Sequence, residues 1–241
     1  MKYLKKFETQ YYNKELNPLF WTDNLFNERI REKLLTIAYE FYSGFGYEAP
    51  IEDIVLTGSL ANFNYNNFSD FDVHVIIDFT KIDKNVELVK RAVDGDRFMW
   101  NIRHNVTIKG YEVELYIQDI TESHTATGVF SLKNNKWIKM PVYNEPNVDE
   151  ELVNFKYLTY KSGIDRLDEI SNKDMSPEAA AKNHLYASEF KRKIQKGRKD
   201  GLAQSGEFSV GNLIFKKLRN GGEFGKLIDI IGKFYDKIYT Q

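Results

Sequence analysis

The chain has 241 residues, 42% hydrophobic and 15% aromatic, which supports one large or two small packed domains and excludes a disordered chain. Its 34 basic and 35 acidic side chains leave a net charge of −1, so a nucleic-acid contact would have to be a local patch and not a global attraction. The absence of cysteine removes disulfides, thiolate-bound zinc, iron–sulfur clusters and cysteine nucleophiles. The histidines His74, His104, His124 and His184 include no His-x-x-x-His pair, so a metal here would be held by oxygen, which favours Mg²⁺ or Mn²⁺.

Met1 to Asn13 mixes charges with aromatics and has no apolar h-region, and no run approaches the roughly 18–20 apolar residues of a membrane span. The expectation is a soluble, cytoplasmic protein with no membrane partner. Residues 22–45 predict a helix capped by Thr22 or Asp23, with Ile30, Leu34, Ile37, Ala38 and Phe41 as its apolar stripe and Gly44 and Gly46 as its stop. Ile51 to Leu56 predicts a short strand broken by Thr57-Gly58-Ser59. Phe71 to Phe79 alternates cleanly, placing Phe71, Val73, Val75 and Ile77 on one face and Asp70, Asp72, His74 and Ile76 on the other. A helix over 83–100 precedes strands at Val106–Lys109 and Tyr111–Gln118, and Val129–Leu132 with Lys136–Ile138 forms a hairpin around Asn134-Asn135.

After Pro141 and Pro146 the pattern turns helical, over 149–172, 177–196, 208–219 and 223–239, with Ser176-Pro177-Glu178 as a helix start. The expected fold class is α+β: a small mixed sheet flanked by helices in a domain over 1–145, followed by a helical domain over 146–241.

The chemistry concentrates in Leu56-Thr57-Gly58-Ser59, followed after a short gap by Asp70-Phe71-Asp72-Val73. A glycine after a strand lets the backbone approach a ligand closely. Gly-Ser opening a helical turn offers N–H groups and a hydroxyl to a triphosphate. Aspartates at i and i+2 project from one face and can bridge divalent cations. Such a site wants a third carboxylate from a neighbouring strand. Val113-Glu114-Leu115 supplies one with apolar flanks, and Glu112, on the same face, is its rival. Glu114 is preferred because it sits deeper in the strand.

Taken together, these pieces resemble the DNA polymerase β-like nucleotidyltransferase superfamily. Its signature is an apolar residue, Gly-Ser or Gly-Gly, a gap of roughly ten, Asp-x-Asp on a strand, and a later acidic residue with apolar flanks. The resemblance implies that Asp70 and Asp72 ligate both metals, that Glu114 ligates the catalytic metal, and that Gly58 and Ser59 meet the β- and γ-phosphates. Tyr111 to Pro141 and Phe208 to Lys237 are also similar to predicted nucleotidyltransferases encoded by bacteriophages. Members commonly append a helical domain that grips the base or acceptor, which residues 149–241 suit. The implied reaction moves an NMP from an NTP, with ATP the expected nucleotide, to an acceptor hydroxyl.

The acceptor stays open between an RNA 3′ end, another nucleotide giving a cyclic or linked messenger, and a protein or small-molecule hydroxyl. A module that binds a nucleotide or partner without turnover is the reading of a different class. Secondary candidates are His74, touching a phosphate or orienting Asp72, His124 reaching the nucleotide, Thr127 and Gly128 at the ribose, and Tyr157 and Tyr160 stacking on a base; the alternatives are a structural hydrogen bond for the histidines and core packing for the tyrosines. The basic run Lys191-Arg192-Lys193, Lys196, Arg198 and Lys199, extended by Lys216, Lys217 and Arg219, is either a phosphate-backbone contact or a solvated helix end.

Overall fold

The computed structural model describes residues 12–123 and 126–240. The N-terminal expectation for Met1 to Asn13 falls largely outside that range, and His124 lies wholly outside it. The expected first helix is shorter at its start. Asp23 and Asn24 sit at φ 49° and 63°, the positive values that a two-residue type I′ hairpin turn requires, and they join β1 (Trp21–Thr22) to β2 (Leu25–Phe26). Helix α1 (Glu28–Ser43) follows, capped by Asn27 and not by Thr22 or Asp23; the Asn27 side chain accepts from the Ile30 N–H. Its stripe of Ile30, Leu34, Ala38 and Phe41 is buried.

The remaining strands of this part are β3 (Ile51–Thr57), β4 (Phe71–Ile77), β5 (Thr107–Ile108), β6 (Tyr111–Asp119), β7 (Val129–Ser131) and β8 (Lys136–Lys139). Among the described residues they form one sheet of order β5-β6-β4-β3-β7-β8. The β4–β6 pair is parallel and every other neighbouring pair is antiparallel, so the sheet is mixed. A parallel pair needs a crossover, which α2 (Val86–Arg103) provides. The alternation in β4 decides the faces. Phe71, Val73, Val75 and Ile77 join Ile54, Leu56, Val113, Leu115 and Ile117 in one core with α1 and with Val89 and Val93 of α2. The other face of these strands carries polar side chains and a small apolar cluster of Val55, Ile76 and Val129.

The chain divides into two units, one ending at Glu145 and the next starting at Pro146. The second holds α3 (Glu150–Ser171), α4 (Pro177–Ser205), α5 (Val210–Asn220) and α6 (Glu223–Tyr239). Ser176 caps α4 through the Ala179 N–H, but the helix runs on past the expected end at 196. The glycines at 197 and 201 are interior; Gly201 and Gly211 of α5 serve a close helix crossing, whereas a Cβ on Gly197 would meet nothing. A Cβ on Gly211 of α5 would lie 2.1 Å from the Gly197 carbonyl oxygen, and one on Gly201 would lie 2.6 Å from Ser209 Oγ. No helix among the described residues is long and apolar enough to cross a membrane.

Candidate metal centre

Strand register sets up the site. Thr57 lies opposite Asp72 across the β3–β4 pair, and Asp72 lies beside Glu114 across β4–β6, so Thr57, Asp72 and Glu114 form a row on the face away from the core. Asp70 stands just before β4 and not within it. Asp70, Asp72 and Glu114 are half-buried, and each offers a carboxylate oxygen such that these atoms all lie within 4.8 Å of one another. Glu112 is exposed and stands outside this group. Alternation put Glu112 on the same face, and it pairs with Thr107 of β5 at the start of the strand.

Gly58 adopts φ 74° and ψ −158°, a region open in practice only to glycine. A Cβ there would lie 1.8 Å from Asp72 Oδ2, so the aspartate packs directly onto the glycine backbone. Ser59 begins a single 3₁₀ turn, Ser59–Ala61. Its hydroxyl donates to Ser69 Oγ at 2.8 Å, and Ser69 Oγ accepts from the Asn66 N–H at 3.0 Å. The two halves of the motif are therefore stitched together one residue before Asp70.

The hairpin buttresses the same turn, because buried Trp21 donates its Nε1–H to the Leu60 carbonyl at 2.8 Å and stacks on Trp137. On the far side, a Cβ on Gly128 would meet the Ala61 carbonyl oxygen at 1.9 Å, and Asn62 Nδ2 donates to the Thr127 hydroxyl. Thr127 and Gly128 thus border the glycine-serine turn.

A second row follows the carboxylates. His74 lies beside Tyr116 in the β4–β6 register, with the rings stacked at 4.6 Å and 18°. His74 Nδ1 is 2.8 Å from Gln118 Oε1. Gln118 Nε2 donates to the Glu122 carbonyl, which orients the amide oxygen toward His74 and so makes Nδ1–H the donor. The Tyr116 hydroxyl donates to Glu114 Oε2 at 2.5 Å, and the Arg97 guanidinium of α2 lies over the Tyr116 ring at 4.8 Å. Burial, and after it the charges of Asp72 and Glu114, push the Tyr116 phenol well above its ordinary range, so it stays a protonated donor. Tyr116 is legible in the sequence as the residue two beyond Glu114. Arg97 is not, since nothing in a helical pattern tells which strand residue a long side chain will reach.

In the second unit, several of the candidate ligand-contact residues also make internal contacts. Tyr157 donates to Glu223 Oε1 at 3.0 Å, and Tyr160 packs edge-on against Phe190. Lys216 pairs with Glu207 at 3.0 Å and Lys217 donates to Asn154, so both lysines have internal partners. The run itself does not end its helix. The last turn of α4 carries no basic residue, which removes the helix dipole as its explanation. Arg192, Lys193, Lys196 and Lys199 are exposed around buried Ile194, while Arg198 turns inward over the Phe215 ring.

No protein-family model, no curated protein and no solved structure matches this chain. Functional assignment therefore rests on the residues themselves.

Proposed function

We propose that the first unit is a metal-dependent nucleotidyltransferase that moves an NMP from an NTP to an acceptor hydroxyl, with Asp70, Asp72 and Glu114 holding Mg²⁺ or Mn²⁺. The observation that carries this is the convergence of three carboxylates within 4.8 Å beside Gly58. The donor set suits these ions: it is all oxygen and anionic, and contains no imidazole or thiolate. Thr57 Oγ1, buried in the same row and without a hydrogen-bond partner among the described residues, adds a neutral oxygen next to Asp72.

When bound, the cation neutralises triphosphate charge and lowers the pKa of the attacking hydroxyl. The chain supplies positioning. Asp70 and Asp72 fix the cations at the start of β4. Glu114 completes the set from the adjacent strand. Gly58 lets phosphate oxygens approach the backbone, and Ser59 offers a hydroxyl beside them. The acceptor oxygen attacks the α-phosphorus, the bond to the α–β bridging oxygen breaks, and pyrophosphate leaves.

The stripe on α4 favours RNA as acceptor. Arg192, Lys196 and Lys199 recur at helical spacing on an exposed face, a pattern that suits a phosphate backbone. The deciding experiment incubates the protein with each labelled NTP and Mg²⁺ or Mn²⁺, with and without total RNA, and separates the products. Labelled RNA with released pyrophosphate is expected, and both Asp70→Ala and Asp72→Ala should abolish it. Incorporation undiminished in both variants overturns the assignment. Thermal stabilisation by nucleotide without pyrophosphate release would mean a binding module instead.

A further inference from the structure

We propose that Tyr116 is a positioning residue for the metal centre, holding Glu114 by one carboxylate oxygen so that the other faces Asp70 and Asp72. The inference rests on the metal-site reading above and goes beyond it, because Tyr116 itself ligates nothing.

Four observations converge on it. The Tyr116 hydroxyl donates to Glu114 Oε2 at 2.5 Å. Two residues apart on β6, the pair shares one face of the strand, so the bond runs along the strand and fixes the direction of the glutamate. The ring is itself held: His74 stacks on it at 4.6 Å, and the Arg97 guanidinium lies 4.8 Å from its centroid. Both groups therefore contact the ring and restrict its motion. Finally, His74 is anchored by Gln118, whose amide is anchored by the Glu122 carbonyl.

A glutamate has three side-chain torsions, and in a half-buried site beside two other carboxylates it would otherwise swing away from them. The hydroxyl opposes that motion. Outer partners that orient a ligating carboxylate typically change metal affinity by about 10–100-fold when removed.

The test is Mn²⁺ binding followed by electron paramagnetic resonance on the full chain, without nucleotide. Tyr116→Phe keeps the ring contacts with His74 and Arg97 and deletes only the hydroxyl. Its Mn²⁺ affinity should fall at least about 10-fold, with an unchanged circular dichroism spectrum. In a Glu114→Gln background the same change should cost less than about twofold, because the partner it acts through is already altered. A general packing role would cost the same in both backgrounds, and that result overturns the proposal. So does a Tyr116→Phe protein that binds Mn²⁺ like wild type while Asp72→Asn does not; the metal site would then stand without the positioning role. If wild type binds no Mn²⁺, both readings fall.

Discussion

Gly58 is where backbone conformation and site chemistry meet in one residue. Its φ of 74° with ψ −158° strains any side chain, and the carboxylate of Asp72 occupies the space a Cβ would need. Gly58→Ala should cost about 1–3 kcal/mol from the backbone alone. It should also displace Asp72 and abolish Mn²⁺ binding. Urea denaturation reads the first effect and isothermal titration the second. Gly46 is the control: its φ is 70° but nothing lies within 4 Å of where a methyl group would sit, so Gly46→Ala should be strained yet bind Mn²⁺ normally. Mn²⁺ binding retained by Gly58→Ala would show that Asp72 is not needed where it lies. At this scale much of the site is legible in the sequence, because a period of two puts Asp72 and Glu114 on defined faces. What the period cannot give is lateral register, and register is what sets Glu114 beside Asp72 and Tyr116 beside His74.

Strand β6 carries Glu114 along a margin that β5 covers only at Tyr111 and Glu112. Beyond that, Asn101 of α2 takes over the pairing: its Nδ2 donates to the Leu115 carbonyl at 3.0 Å and its Oδ1 accepts from the Leu115 N–H at 3.2 Å. One amide side chain thus substitutes for a missing strand, next to the residue that bears the third carboxylate. Asn101→Ala leaves both backbone groups without their partner and should cost about 1–3 kcal/mol. Hydrogen exchange at the Leu115 amide should accelerate in step, and exchange unchanged from wild type would mean that another group protects this edge. The same helix shows why element boundaries are harder to read than element types. Asn85 caps α2 and moves its start to Val86, just as Asn27 moves the start of α1. A two-residue hairpin built on Asp23 and Asn24 carries too few residues to show alternation, so it reads as the opening of a helix. Gly197 and Gly201 interrupt a helical pattern in the sequence, but in the fold α4 runs through both, and Gly201 admits the start of the neighbouring helix.

Charge, almost balanced over the chain, is divided unevenly within it. Residues 1–145 carry 17 basic and 21 acidic side chains, whereas residues 146–241 carry 17 basic and 14 acidic, so the net charges are −4 and +3. Within the second unit many lysines are already engaged: Lys161 with Glu223, Lys226 with Asp165 and Asp168, Lys233 with Asp168, and Lys216 with Glu207. The excess that remains is concentrated on the exposed face of α4, where Arg192 pairs with Glu189 at 3.7 Å. If that face contacts a single strand through Arg192, Lys193, Lys196 and Lys199, the logarithm of the binding constant should fall with the logarithm of salt at a slope of about −3, since each neutralised phosphate contributes about −0.7. Lys193→Ala with Lys196→Ala should reduce the steepness by about 1.4 on the same basis. Removing the exposed lysines Lys33 and Lys84 of the first unit should leave it unchanged. Fluorescence anisotropy of a labelled single-stranded RNA at several salt concentrations measures all three slopes. Equal slopes in all three proteins would make the α4 stripe a solvated helix face, and the acceptor would then have to be sought among small molecules or protein hydroxyls.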